Sequence, residues 1–134
     1  GELHNCLITG IGGLSTTVVY NRLDELREQA SLVPEFNPPT PTALIEALEE
    51  GDSSAIARFA HNDLQWAALD LKPELQEVID RALAAGALTA MVSGSGPTVF
   101  AIAKDGASAM AIASKFGNSA IATTGPALGA KVEN

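Results

Sequence analysis

Six small residues, Ser93-Gly94-Ser95-Gly96-Pro97-Thr98, lie between the apolar pairs Met91-Val92 and Val99-Phe100. With so little side chain in the way, the backbone N–H groups of such a loop can approach an anion closely. The concave patch they form suits a phosphate or a second glycine loop. The same residues can also be a plain turn, with Gly94 and Gly96 supplying backbone angles and Pro97 rigidity. Spacing alone leaves both readings open, although a turn needs fewer residues, because a two-residue loop is enough to join adjacent antiparallel strands.

Other residues suggest chemistry that their spacing does not support. A nucleophilic serine sits in Gly-x-Ser-x-Gly, yet Ser93 and Pro97 occupy the glycine positions around Ser95, and neither His4 nor His61 is singled out as its base. Gly10-Ile11-Gly12-Gly13 falls short of the dinucleotide fingerprint Gly-x-Gly-x-x-Gly. Ser15 stands where the third glycine belongs, so a loop followed by a helix cap accounts for the segment better. His61 and Asp63 invite a metal reading, but residues so close along a helix do not face one another. Capping of a helix start by Asn62 or Asp63 is the expectation there. Tyr20 falls one residue off the apolar stripe of the first helix, with Thr16 one turn earlier on the same face. It is either a half-buried aromatic with a solvated hydroxyl or a ring that stacks on a planar ligand. Trp66 is expected to be a semi-buried packing residue. Cys6, the only cysteine, lies in the apolar run Leu3 to Ile8 and is expected to be a buried, inert thiol. A single cysteine excludes an internal disulfide and a cysteine-based zinc site.

The elements that must hold these residues follow from periodicity and punctuation. Leu3 to Thr9 reads as a strand ending in the Gly10–Gly13 turn. Ser15 is placed to cap a helix in which Val19, Leu23 and Leu26 form the buried stripe and which fades near Ala30; Leu14 and Val19 can staple its entry. Ser31 to Pro41 holds four prolines and reads as a surface loop. Thr42 to Glu50 is a short helix ending at Gly51. Asp52 or Ser53 caps the next helix, through Ile56 and Phe59. A further stretch runs through Leu64, Ala67, Ala68 and Leu71. Pro73 then opens a helix with Leu75, Val78, Ile79, Ala82 and Leu83 on its apolar face, closed at Gly86. Leu88 to Ser93 and Thr98 to Ala103 are strands around the glycine loop, Asp105 to Phe116 a small-residue helix closed by Gly117, and Ala120 to Thr124 a last strand. This order predicts an α+β, ferredoxin-like two-layer sandwich, with a four-stranded, mostly antiparallel sheet, helices on one face and an inserted helical segment.

The 134 residues suit one domain, and 46% of them are hydrophobic, enough for a core. A net charge of −8, with the basic residues scattered, argues against a nucleic-acid partner. No apolar run approaches the roughly 20 residues that span a bilayer. The first residues lack the basic start of a signal peptide, so a cytoplasmic location is expected. They also lack an initiator methionine, so a fragment or processed piece is expected.

Met91 to Phe100 resembles the third, carboxy-terminal motif of the GHMP kinases, the superfamily of galactokinase and of homoserine, mevalonate and phosphomevalonate kinases. Gly13-Leu14-Ser15-Thr16 with Val19-Tyr20 and Leu23-Asp24, then Asn62-Asp63-Leu64-Gln65, Pro73-Glu74-Leu75, Ala85-Gly86-Ala87 and Thr124-Gly125-Pro126, are similar to successive segments of one branch. Members of that branch phosphorylate the 2-hydroxyl of a cytidine-diphosphate-linked methylerythritol, a step of the non-mevalonate isoprenoid route. The resemblance implies that residues 1–134 are a GHMP kinase C-terminal domain. The amino-terminal ATP-binding half is absent, since no Pro-x-x-x-Gly-Leu-Gly-Ser-Ser loop occurs.

It also implies that ATP and Mg²⁺ serve the whole enzyme and are not bound by this domain alone. No catalytic residue or metal ligand is assigned in this chain. Ser93, Gly94, Ser95, Gly96, Pro97 and Thr98 would form the phosphate-site loop. Thr16 and Tyr20 would form the substrate wall, Tyr20 aligning with an aromatic that packs on the cytosine ring. The partners implied are the small-molecule substrate and the protein's own amino-terminal half, which would supply most of the positive charge, with no nucleic acid and no membrane. There are departures. Gln65 stands where the family often has Glu, which removes the charge for a salt bridge there, and the richness in glycine at Gly10 to Gly13 predicts a differently seated strand end. The rival reading is a free-standing ferredoxin-like module that binds a ligand or another protein, and the fold itself does not decide between the two.

Overall fold

The structure, a computed structural model, describes residues 1–10, 12–30 and 40–133. The proline loop expected over Ser31 to Pro41 falls mostly outside that set, as does Ile11 of the first glycine segment. Among the described residues the chain runs β1 (Leu3–Ile8), α1 (Thr16–Gln29), α2 (Thr42–Glu50), α3 (Ser53–Phe59), α4 (Gln65–Leu71), α5 (Glu74–Ala84), β2 (Thr89–Val92), β3 (Val99–Ala103), α6 (Gly106–Ser114) and β4 (Ala120–Gly125). A single 3-10 turn at Gly117–Ser119 separates α6 from β4.

Short polar side chains start α1, α3 and α6 by meeting N–H groups that have no partner within the helix. Ser15, in extended backbone, accepts from the Val18 N–H at the start of α1. Asp52 accepts from Ser54 and Ala55 at the start of α3. Asp105 accepts from Ser108 at 2.7 Å at the start of α6.

The strands form one sheet in the order β2-β3-β1-β4, with every neighbour antiparallel. This is the expected ferredoxin-like sheet, and β2 and β4 are its edges. Strand side chains alternate between faces, and β3 shows what each face meets. Val99, Ala101 and Ala103 join Cys6 and Ile8 of β1 in the main core. The stripes of α1 (Val19, Leu23, Leu26), α4 (Ala67, Ala68), α5 (Leu75, Ile79, Ala82) and α6 (Ala109, Ile112) close that core from above. Ile102 points the other way and packs with Ala47 of α2 and Ile56 of α3. The inserted segment therefore divides. Its first two helices cover part of the second sheet face, while α4 joins α1 and α5 in the main helical layer. Cys6 is fully buried, and that burial pushes its thiol up from the ordinary cysteine range, which fits an inert core residue.

Two features of this frame position the site. Ile8, the last residue of β1, pairs with Val99, the first of β3, so the loops next to them leave the same end of the sheet. Arg22 of α1 then reaches Asp70 of α4 at 2.6 Å and Glu25 at 2.8 Å, fastening α1 to α4 along the rim. No helix among the described residues is long and apolar enough to cross a membrane.

Candidate functional site

The loop between β2 and β3 closes on itself and is also held from outside. The Ser93 N–H donates to the Thr98 carbonyl at 2.8 Å and the Gly96 N–H to the Ser93 carbonyl at 2.9 Å. Gly96 has φ +79° and its missing Cβ would stand 2.9 Å from Val92 Cγ1, with Leu14 and Leu75 next nearest. Both the backbone angle and the space therefore demand glycine. Gly94 has φ +57° but faces open space. Among the described residues the N–H groups of Gly94 and Ser95 make no hydrogen bond. The loop is thus a closed turn that, among the described residues, leaves two amides without a partner at its tip.

The external ties come from α1 and from the start of α4. Thr16 Oγ1, in the first turn of α1, lies 2.9 Å from Ser95 Oγ. Asn62 Nδ2 donates to the Val92 carbonyl at 2.6 Å and to the Gly94 carbonyl at 2.8 Å. Its Oδ1 accepts from the Leu64 N–H at 3.1 Å. Gln65 Oε1 accepts from the Val92 N–H at 2.8 Å.

Beside this loop a groove of about 530 Å³ runs between α1 and α4, lined by Leu23, Arg27, His61, Asn62, Trp66 and Met91 among others. It continues into a smaller hollow of about 420 Å³ lined by Tyr20, Asp24 and Arg27 among others. Tyr20 is 53% exposed and Trp66 45%, so both side chains are about half open to solvent. Trp66 lines the groove instead of acting only in packing.

Of the residues predicted from sequence, Thr16 and the glycine loop come together directly. Tyr20, one turn further along α1, faces the adjoining hollow and not the loop. Asn62 lines both cavities and also grips the loop.

The structure corrects the reading of His61 and Asp63. They do face one another, as an exposed pair between His61 Nε2 and Asp63 Oδ1, because residues 60–62 lie outside any helix and 63–64 form a turn ahead of α4. Asn62 was expected only as a cap. It does accept from Leu64, but its amide nitrogen reaches 30 residues along the chain to Val92. Gln65 needs no charge, since its task is to accept a backbone N–H, which an amide oxygen does as well as a carboxylate. No local pattern signals either long-range bond.

The donors at the loop are backbone N–H groups and the Ser95 and Thr16 hydroxyls, a set that fits the oxygens of a phosphate. It contains no carboxylate for a magnesium ion, and no group of three metal-ligating side chains converges among the described residues.

Residues 44–122 match the family described as GHMP kinases C terminal. Over 99% of its length the chain is 40% identical to the 4-diphosphocytidyl-2-C-methyl-D-erythritol kinase of Corynebacterium diphtheriae, covering 41% of that protein. Against the kinase of the same name from Nocardia farcinica the identity is 39% over 96% of the chain and 43% of the relative. A crystal structure of 4-(cytidine 5'-diphospho)-2C-methyl-D-erythritol kinase superposes on 92% of the chain with a TM-score of 0.71 at 28% identity, using 43% of that structure. The chain thus spans about two fifths of the length of the curated relatives it matches. Family match and shared architecture agree, and the chain belongs to the GHMP kinase C-terminal family.

Proposed function

We propose that this chain is the carboxy-terminal half of an ATP-dependent kinase that transfers the γ-phosphoryl group to the 2-hydroxyl of a cytidine-diphosphate-linked methylerythritol in the cytoplasm. The observation that carries this reading is the junction of α1 with the glycine loop through Thr16 and Ser95. One helix then presents a hydroxyl at the loop and an aromatic ring one turn away, as suits a substrate in which phosphates link a planar base to the acceptor alcohol. In this reading the Gly94 and Ser95 N–H groups and the Ser95 hydroxyl hold a phosphate oxygen, and Tyr20 stacks on the base. Such stacking contributes about 1–3 kcal/mol in comparable base contacts.

The chain carries 16 carboxylates against 8 cationic side chains. The amino-terminal half therefore supplies the ATP cradle, the positive charge and the group that activates the hydroxyl. When bound there, ATP donates the phosphoryl group and Mg²⁺ neutralises its charge. This chain orients the acceptor and excludes water on its own side of the cleft. The test is ATP turnover with the cytidine-linked substrate, measured on the chain alone and on the protein with its amino-terminal half. No turnover alone and robust turnover when joined is the expected result. Turnover by the chain alone would refute the half-site reading. No turnover in the joined protein would favour the free-standing module.

A further inference from the structure

We propose that Asn62 is a positioning residue that presets the glycine loop for phosphoryl transfer, with Gln65 as its second anchor; this rests on the kinase reading above. Val92 is the last residue of β2, an edge strand. Its N–H and C=O find no further strand and are taken by Gln65 Oε1 and Asn62 Nδ2. The same Nδ2 bonds the Gly94 carbonyl, so one planar amide brackets Ser93 and fixes the direction in which the chain leaves the sheet.

The orientation of that amide is unambiguous. Swapping its oxygen and nitrogen would set Oδ1 against two carbonyl oxygens and Nδ2 against the Leu64 N–H. The residues fixed in this way are the ones followed by the free N–H groups of Gly94 and Ser95. Donors aimed beforehand at a developing charge cost no reorganisation when the reaction occurs. Asn62 also lines the groove beside Tyr20, so base and phosphate ends of a ligand are registered against one side chain. It bonds neither N–H, but the Gly94 carbonyl it holds shares one planar peptide unit with the Ser95 N–H, so fixing the carbonyl fixes the direction of that donor.

The experiment compares variants in the protein that carries its amino-terminal half, with folding checked by thermal melting. Asn62→Ala is expected to lower kcat by about 10–100-fold, the size of effect a misplacement near 1 Å produces, with KM for the cytidine-linked substrate changed less than about threefold. Asn62→Asp should fall at least as far, because its carboxylate would face two carbonyl oxygens. Gln65→Glu keeps the acceptor and is expected to retain activity, whereas Gln65→Leu strands the Val92 N–H and should lose it. If the Asn62 variants do not fold, the Gln65 pair decides.

A wild-type kcat in Asn62→Ala, or a loss confined to KM, would overturn the inference while leaving the kinase reading intact. So would equal loss in Gln65→Glu and Gln65→Leu. Absence of turnover in the wild-type joined protein would defeat the kinase reading instead. Amide hydrogen exchange at Ser93 and Gly96, whose N–H groups are bonded within the loop, should speed up in Asn62→Ala relative to exchange in α6. Unchanged exchange would overturn the clamp whether or not a kinase is involved.

Discussion

Two loops rich in glycine leave the same end of the sheet, and they are built on different principles. The first, Gly10 to Gly13, follows β1 and holds two positive-φ glycines, Gly10 and Gly12. The second, Ser93 to Thr98, precedes β3 and also holds two, Gly94 and Gly96. Among the described residues only the second is gripped by side chains from other elements, namely Thr16, Asn62 and Gln65 around its tip and base. The described part of the first is fastened at its root alone, where Thr9 donates to the Ser119 carbonyl. Glycine content therefore says where backbone can bend. Tethering says where a bend has been fixed in one conformation, and a fixed bend can aim N–H groups at a ligand.

The comparison breaks most readily at the glycines. Gly96→Ala should cost roughly 3 kcal/mol, since strain at positive φ adds to crowding against Val92. Gly12→Ala should cost only about 1 kcal/mol, because its nearest neighbour is the mobile end of Lys72, 3.5 Å away. Urea denaturation midpoints read both. Equal costs would mean that the second loop is no more constrained than the first.

Smaller effects sharpen the same contrast. Thr16→Val and Ser95→Ala each remove one end of a solvent-facing hydrogen bond and should cost less than about 1 kcal/mol singly. Their double-mutant cycle should show a favourable coupling. A coupling of zero would mean that α1 and the loop only lie side by side.

Asp105, which touches neither loop, serves as the reference, and removing its helix cap should have an effect of similar size. Hydrogen bonds from the Ser108 hydroxyl, and then from its backbone N–H, hold the Asp105 carboxyl below the usual carboxylate range. A depressed folded value stabilises the fold above the ordinary carboxylate range, and this contribution is lost as pH falls through the folded value. Asp105→Ala should therefore melt lower than the native chain at neutral pH and converge with it in acid. A gap that persists in acid would refute the capping role.

Much of the fold was legible because its signals are local. Ser15, Asp52 and Asp105 sit immediately before the helices they start, and the stripe Val19, Leu23, Leu26 is buried as its spacing predicts. Thr42–Glu50 has the bounds its turn residues set. What escaped depends on distance along the chain. Nothing near residues 42–59 says that α2 and α3 cover the second sheet face, because Ile102, the residue they cover, lies in β3. His61 and Asp63 were misjudged because a turn was read as helix. The grip of Asn62 and Gln65 on Val92 crosses 30 and 27 residues, and an Asn that caps one N–H looks the same in sequence as an Asn that also holds a distant loop. The Thr16–Ser95 contact spans 79 residues; each end was marked as a candidate, but not the bond between them.

That bond joins two hydroxyls, each with a single proton to give. An anion at the loop tip that accepts the Ser95 proton leaves Ser95 only lone pairs to offer Thr16, so Thr16 must then point its own proton at Ser95. From that moment Thr16 can offer a neighbouring ligand nothing but an acceptor. Occupancy at one end of the cleft thereby sets the polarity sensed at the other, with no atom heavier than hydrogen having to move.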